Sequence, residues 1–237
     1  MMRLDRLIAE SGVLSRSQAG KAVREGKVTV NGIIVKRPEQ KVLESSDVIS
    51  LDGAVLGYQA KHYYLMDKPT GVITAARDPK QKTVLELFPQ EVQNQGIFPV
   101  GRLDKDTSGL LLFTDDGDFA HRVISPKSGV WKTYEAQVEG ELSSADVQMF
   151  ADGIRLKDGT LCLPAKLQLL GPGRCLVTVQ EGKYHQVRRM LAAAGKPVKT
   201  LRRLSVGGLR LDDGSVPGTW RPLREDEVSL VLCGSDG

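Results

Sequence analysis

Apolar residues fall at helical spacing at the very start of the chain, where Leu4, Leu7 and Ile8 share one face. Ser15 followed by Gln18 has the form of a capping box and predicts a second helix through Ala19, Ala22 and Val23, with Gly26 as its stop. The period then changes. Val28-Thr29-Val30 and Ile33-Ile34-Val35 flank Asn31-Gly32, a dipeptide suited to the left-handed backbone of a two-residue hairpin. Val48-Ile49-Ser50-Leu51 before Asp52-Gly53 predicts one more strand and turn. Two helices leading into a small sheet make residues 1–58 a module of their own, and the polar stretch 57–61 reads as a linker.

From Tyr63 onward the text is mainly strand and turn. Strands are predicted over residues 63–67, 109–114, 133–138, 161–170 and 175–179. Helices are predicted near 118–125, over 143–153 with Asp146 three residues after Ser143, and over 184–194, closed by Gly195 and Pro197. Strand runs with few helices predict an α+β chain: a small two-helix module followed by a mainly antiparallel mixed sheet spanning 62–237.

The chain has 237 residues, which allows one to two domains. Its 33 basic and 29 acidic side chains leave a net charge of +4, and 41% hydrophobic content supplies a real core. No apolar run approaches the roughly 20 residues that cross a bilayer, and the charged start lacks the apolar heart of a secretory signal. Cys162, Cys175 and Cys233 form no CxxC pair and the three His are scattered, which argues against a structural zinc site and suits a reducing cytoplasm. The sequence signals no metal and no cofactor, and without a coiled-coil pattern the expected state is a monomer.

Charge becomes informative in its distribution. Lys183, Arg188, Arg189, Lys196, Lys199, Arg202, Arg203 and Arg210 fall in a span with no acidic residue. Such a span is either a nucleic-acid footprint or a solvated face balanced by acids from elsewhere. On the helix predicted there, Val187, Met190, Leu191 and Ala194 form an apolar stripe, with Arg188 on its flank facing inward and Arg189 opposite. In the first module, Arg16, Lys21, Arg24 and Lys27 lie on or beside the second helix.

The segment Gly101-Arg102-Leu103-Asp104-Lys105-Asp106-Thr107-Ser108-Gly109 is a dense polar loop that runs straight into the apolar strand Leu110-Leu111-Leu112-Phe113. An aspartate in a loop commonly forms a turn or cap. Two carboxylates also suggest a glycosidase, but an offset of two residues does not set the separation that chemistry needs.

Taken together, these segments resemble the pseudouridine synthases. The loop matches that superfamily's G-R-L-D-x-D-T-S-G element, Lys68-Pro69-Thr70-Gly71 its K-P-x-G element, and Lys132-Thr133-Tyr134 and Glu181-Gly182-Lys183-Tyr184-His185-Gln186-Val187-Arg188-Arg189-Met190 its later motifs. Residues 1–58 resemble an S4-like RNA-binding domain. The Tyr-His-Gln-Val form and His121-Arg122-Val123-Ile124-Ser125-Pro126 are most similar to the ribosomal small-subunit pseudouridine synthase A branch, while relatives that modify 23S rRNA share the loop and the module.

The resemblance implies isomerisation of a uridine of 16S rRNA, free or in a small-subunit assembly intermediate, without a cofactor. The alternatives are the same chemistry on 23S rRNA, or a non-catalytic ribosome assembly factor. Asp104 is implied as nucleophile, held ionised by Arg188, with Tyr134 stacking on a base flipped out of its helix. Arg102 is assigned to the vacated stack or a flanking phosphate. Lys68 and Pro69 would brace the loop, Asp106 and Thr107 would shape it, and His185 would serve as a structural hydrogen-bonder. Arg16, Lys21, Arg24, Lys27, Arg189 and Arg203 would meet RNA.

Overall fold

Asn31 and Gly32 take up the left-handed backbone conformation, with φ of 53° and 81°, and the strands on either side pair antiparallel as their pattern predicts. The computed structural model in which this is seen describes residues 1–43, 46–56 and 61–233. Most of the linker expected at 57–61 lies outside the described residues. The chain divides into two compact units, Met1–His62 with Leu85–Phe98, and Tyr63–Val84 with Pro99–Gly237.

In the first unit, helices Leu4–Glu10 and Arg16–Arg24 pack on a small sheet ordered Ile33–Ile34, Val28–Val30, Ile49–Leu51, Ala54–Val55. The capping box forms: the Ser15 backbone N–H donates to Gln18 Oε1 at 2.9 Å, and the Ser15 hydroxyl accepts from the Gln18 backbone N–H. Leu4, Leu7, Ile8, Ala19, Ala22 and Val23 turn inward against Val28, Val30 and Ile49. Burying such side chains contributes about 1.5–3 kcal/mol for each large aliphatic group. The polar face of Arg16–Arg24 is left outward, with Arg16, Lys21 and Arg24 exposed.

The second unit is built on one mixed sheet. Its main path runs Lys166–Gly171, Arg174–Val179, Lys132–Val138, Val198–Val206, Thr107–Thr114, Tyr63–Lys68, Trp220–Pro222. Every pairing along that path is antiparallel except that of Val198–Val206 with Thr107–Thr114, which is parallel. Leu110 to Phe113 are buried on both faces of the sheet, which is why this strand reads as an unbroken apolar run. No helix among the described residues is long and apolar enough to cross a membrane.

The strand Val198–Val206 carries no apolar alternation, and its pattern predicts nothing. Its sequence, Val-Lys-Thr-Leu-Arg-Arg-Leu-Ser-Val, is central to the sheet because its arginines are answered inside the fold. Gly109 shows how close the parallel strands come. At φ +104°, a Cβ there would collide with the backbone of Arg203, its register partner. Only glycine fits where the polar loop becomes a strand. The stretch predicted as strand from 161 pairs regularly only from Lys166, and the helix predicted from 184 begins at Gln186, because His185 breaks the helical path at φ 48°. The helix Glu225–Leu232 is absent from the pattern-based expectation, although its three first-turn acids, Glu225, Asp226 and Glu227, are a helix-start signal.

Candidate active site

The polar loop 101–108 is held by its backbone. Lys68, which ends its strand with no exposed surface, donates through Nζ to the carbonyls of Pro69, Asp104 and Thr107 at 3.0, 3.1 and 3.0 Å. Three donors meet three acceptors, so the ammonium is fully used. Burial pushes Lys68 down to about 8, Arg203 adds to that fall, and the charges of Asp104 and Asp106 oppose it. Two further ties come from the turn after Pro69. The Gly71 N–H donates to the Lys105 carbonyl at 2.8 Å. Buried Thr74 donates its hydroxyl to the Leu103 carbonyl at 2.7 Å and accepts the Leu103 N–H at 3.2 Å. Lys68 thus ties the loop through its ammonium, Pro69 offers its carbonyl to Lys68, and Thr74, an ordinary threonine in the sequence, gives no local sign of its part.

Asp104 faces a cavity of about 80 Å³ whose walls include Arg102, Thr107, Tyr134, Glu181, His185 and Arg188. Residues from the polar loop, the strand Lys132–Val138, and the turn and helix at 181–193 therefore converge on one cleft. The side chain beside Asp104 differs from the expected one. His185 Nε2 lies 3.2 Å from Asp104 Oδ1. Arg188 instead pairs with Asp106 Oδ2 at 3.1 Å and donates to the Asp106 carbonyl at 3.2 Å, with Thr107 Oγ1 at 3.4 Å. The left-handed conformation at position 185 accounts for the exchange: it turns the imidazole toward the loop, while Arg188, one turn into the helix, reaches the loop further along. Arg188 Nε is buried and has no hydrogen-bond partner among the described residues.

The turn that carries His185 is clamped by groups whose individual roles the sequence did not signal. Glu181, buried, accepts the Gln186 side-chain amide at 2.8 Å and the Leu163 N–H at 2.9 Å, and pairs with Lys183. Gln186 in turn accepts the Lys183 backbone N–H at 2.8 Å. The spacing Glu-x4-Gln inside the late motif was the available clue.

Tyr134 is half-buried on its strand, with the Arg203 guanidinium 6.0 Å from its ring centre. This corrects the reading of Arg203 as an RNA contact. Arg203 is only 5% exposed and donates Nε–H to the Leu110 carbonyl at 2.7 Å, because its place in the middle of the sheet turns it inward. Its neighbour Arg202 forms a two-point pair with Asp67, itself wholly buried, at 3.0 and 2.6 Å. Arg189 pairs with Asp158 at 2.5 Å. Much of the acid-free span is therefore answered by acids from other segments, and Lys199 and Arg210 are its exposed members. Arg102 is exposed at the cleft. In the first unit, Arg16 lies 3.9 Å from Asp5, while Lys21 and Lys27 both approach Glu25, at 3.8 and 2.8 Å.

A braced aspartate loop beside a tyrosine-bearing strand and a basic helix is the arrangement to compare with known proteins. The family model for RNA pseudouridylate synthase matches residues 62–193, and the model for the S4 domain matches residues 2–49. The chain belongs to the RNA pseudouridine synthases, enzymes that isomerise uridine, and carries an S4 domain at its N-terminal end.

Within the family it is 40% identical over 233 residues to the ribosomal small subunit pseudouridine synthase A of Escherichia coli strain K12, covering 98% of this chain and 100% of that one. It is 39% identical over 234 residues to an uncharacterized RNA pseudouridine synthase of Bacillus subtilis strain 168, covering 97% and 98%. A crystal structure of a pseudouridylate synthase matches with a TM-score of 0.69 and 35% identity, over 98% of this chain and 100% of that one.

Proposed function

We propose that this enzyme converts a uridine of 16S rRNA to pseudouridine with Asp104 as nucleophile, acting in the cytoplasm on small-subunit rRNA or an assembly intermediate. The observation that carries the chemistry is the convergence of Asp104, Tyr134, His185 and Arg188 on one cleft. The small-subunit substrate rests on the full-length likeness to the Escherichia coli enzyme. In the reaction the N1–C1′ bond breaks, the uracil turns, C5 bonds to C1′, C5 gives up its proton and N1 gains one, and the transient bond formed by Asp104 is broken again so that its carboxylate is regenerated. Atoms and charge balance with no redox partner.

Each neighbour has a task in this reading. Tyr134 stacks on the extruded base, its ring steadied from behind by Arg203. His185 positions the Asp104 carboxylate. Arg188 locks the far end of the loop through Asp106 and Thr107. Residues 1–58 serve as the RNA-binding module, with Arg16, Lys21, Arg24 and Lys27 on structured rRNA, and 62–237 as the catalytic domain. Arg102 contacts the strand flanking the target.

Pseudouridine mapping by carbodiimide primer extension on both rRNAs from a strain lacking this protein tests the reading. One missing site in 16S rRNA, restored by the purified enzyme, is expected. A missing site in 23S rRNA overturns the small-subunit substrate, and no missing site in either overturns the rRNA substrate.

A further inference from the structure

Tyr184 is 76% exposed, an unusual position for a large aromatic ring beside a polar cleft. It is not loose. Its ring stacks on that of His185 with centroids 3.9 Å apart and planes 17° from parallel. The backbone around it is tied on both sides. The Tyr184 carbonyl accepts from Arg189 Nη1 at 3.3 Å, the Gln186 N–H donates to the Lys183 carbonyl at 3.0 Å, and the Gln186 side chain accepts the Lys183 N–H at 2.8 Å. His185 then reaches Asp104 at 3.2 Å. A solvent-facing aromatic plane is thus joined, through one histidine, to the carboxylate of the cleft.

We infer that Tyr184 is a platform for a nucleobase next to the target uridine. This rests on the proposed RNA chemistry and adds to it. Extruding a uridine takes a stacking partner from its neighbour in the strand. A preorganised ring at the mouth of the cleft returns that partner, and because its backbone is already fixed little further ordering is required. One face of Tyr184 is covered by His185 and the other is open, so it accepts a single base and tolerates any of the four, since each has a π-face. The neighbouring basic side chains Lys183, Arg188 and Arg189 are already paired with Glu181, Asp106 and Asp158, so the exposed ring rather than charge is the feature that a base meets here.

The test uses the full chain and in vitro transcripts of 16S and 23S rRNA, with tritium release from C5-labelled uridine as the readout. Tyr184→Ala is expected to lower kcat/KM about tenfold, almost wholly through KM, the lower range of what one base–aromatic stack contributes. Tyr184→Trp and Tyr184→Phe should return to within about twofold of the wild-type value, whereas Tyr184→Leu should not. Because the side chain is so exposed, circular dichroism of all four variants should match the wild type. Equal KM for Tyr184→Ala and wild type overturns the platform while leaving the enzyme reading intact. So does a defect seen only on ribosomal particles and not on bare RNA, which would assign Tyr184 to a protein contact. If the wild type releases no tritium from either transcript or from small-subunit particles, the rRNA reading fails first and the platform with it.

Discussion

His185 Nε2 stands 3.2 Å from Asp104 Oδ1, in the place that sequence reasoning gives to Arg188. The pair joins a left-handed residue at the start of one helix to the middle of a loop anchored by another part of the sheet. Backbone strain at a non-glycine left-handed residue amounts to about 1–3 kcal/mol and persists only where the surroundings fix it. Here the clamp of Glu181 and Gln186 supplies that fixing.

Asp104→Ala should abolish tritium release while leaving rRNA affinity within about twofold of the wild type. His185→Phe keeps an aromatic partner for Tyr184 but removes the contact to Asp104. It should lower the single-turnover rate about tenfold, equivalent to roughly 1.4 kcal/mol, as expected for one hydrogen bond to a charged group. A wild-type rate in His185→Phe would show that Asp104 works without it.

Lys68→Met should cost about 3 kcal/mol of stability, because three inward carbonyls lose a shared donor. The pH dependence has a definite sign. The folded pKa of Lys68, about 8, lies below its ordinary 10.5, so between those values the unfolded chain holds more protons and stability rises with pH. The contribution is least favourable below pH 8 and recovers as pH climbs toward 10.5. Lys132, buried on another strand of the same sheet, is also depressed to about 8, so the measurement is a comparison. Urea denaturation across this window should show wild type gaining on Lys68→Met, and parallel curves would refute the assignment.

Gly109→Ala should be among the most destructive single changes. The new methyl group meets the Arg203 backbone, and the residue must hold φ +104°. A loss of about 3 kcal/mol or more is expected from collision and strain together. A thermal midpoint within a few degrees of the wild type would mean the two strands part more easily than their register suggests.

Arg203→Ala should destabilise the fold by about 2–3 kcal/mol, since the Leu110 carbonyl loses its donor inside the sheet. The salt dependence of rRNA binding should stay unchanged. Removing Lys21 and Arg24 together should do the opposite, leaving stability intact and flattening the slope of log K against log salt by about 1–2. Filter binding at several salt concentrations separates the cases.

What the sequence discloses follows from how local each determinant is. The capping box at Ser15, the Asn31-Gly32 hairpin and the apolar run Leu110 to Phe113 are fixed by neighbours in the chain, and all three form as read. The strand Val198–Val206 is hidden because Arg202 is paired with Asp67 and Arg203 donates to the carbonyl of Leu110, both far away in sequence. For the same reason a basic stretch looked like a surface. The candidate residues Asp104, Tyr134 and Arg188 do share a cleft. Which side chain meets Asp104 lay beyond reach, because it depends on the backbone angle of a single histidine.

The loop around Asp104 is gripped by Lys68, Gly71 and Thr74 through peptide groups alone. Peptide groups are the same in every residue except proline, so this grip is blind to what the loop displays. Side chains at the exposed positions Arg102 and Lys105 can therefore drift or be exchanged without moving the aspartate. A scaffold of this kind separates the placing of a reactive group from the choice of its companions, and it gives a designer two independent dials: reach toward different RNA with one, and hold the chemistry still with the other.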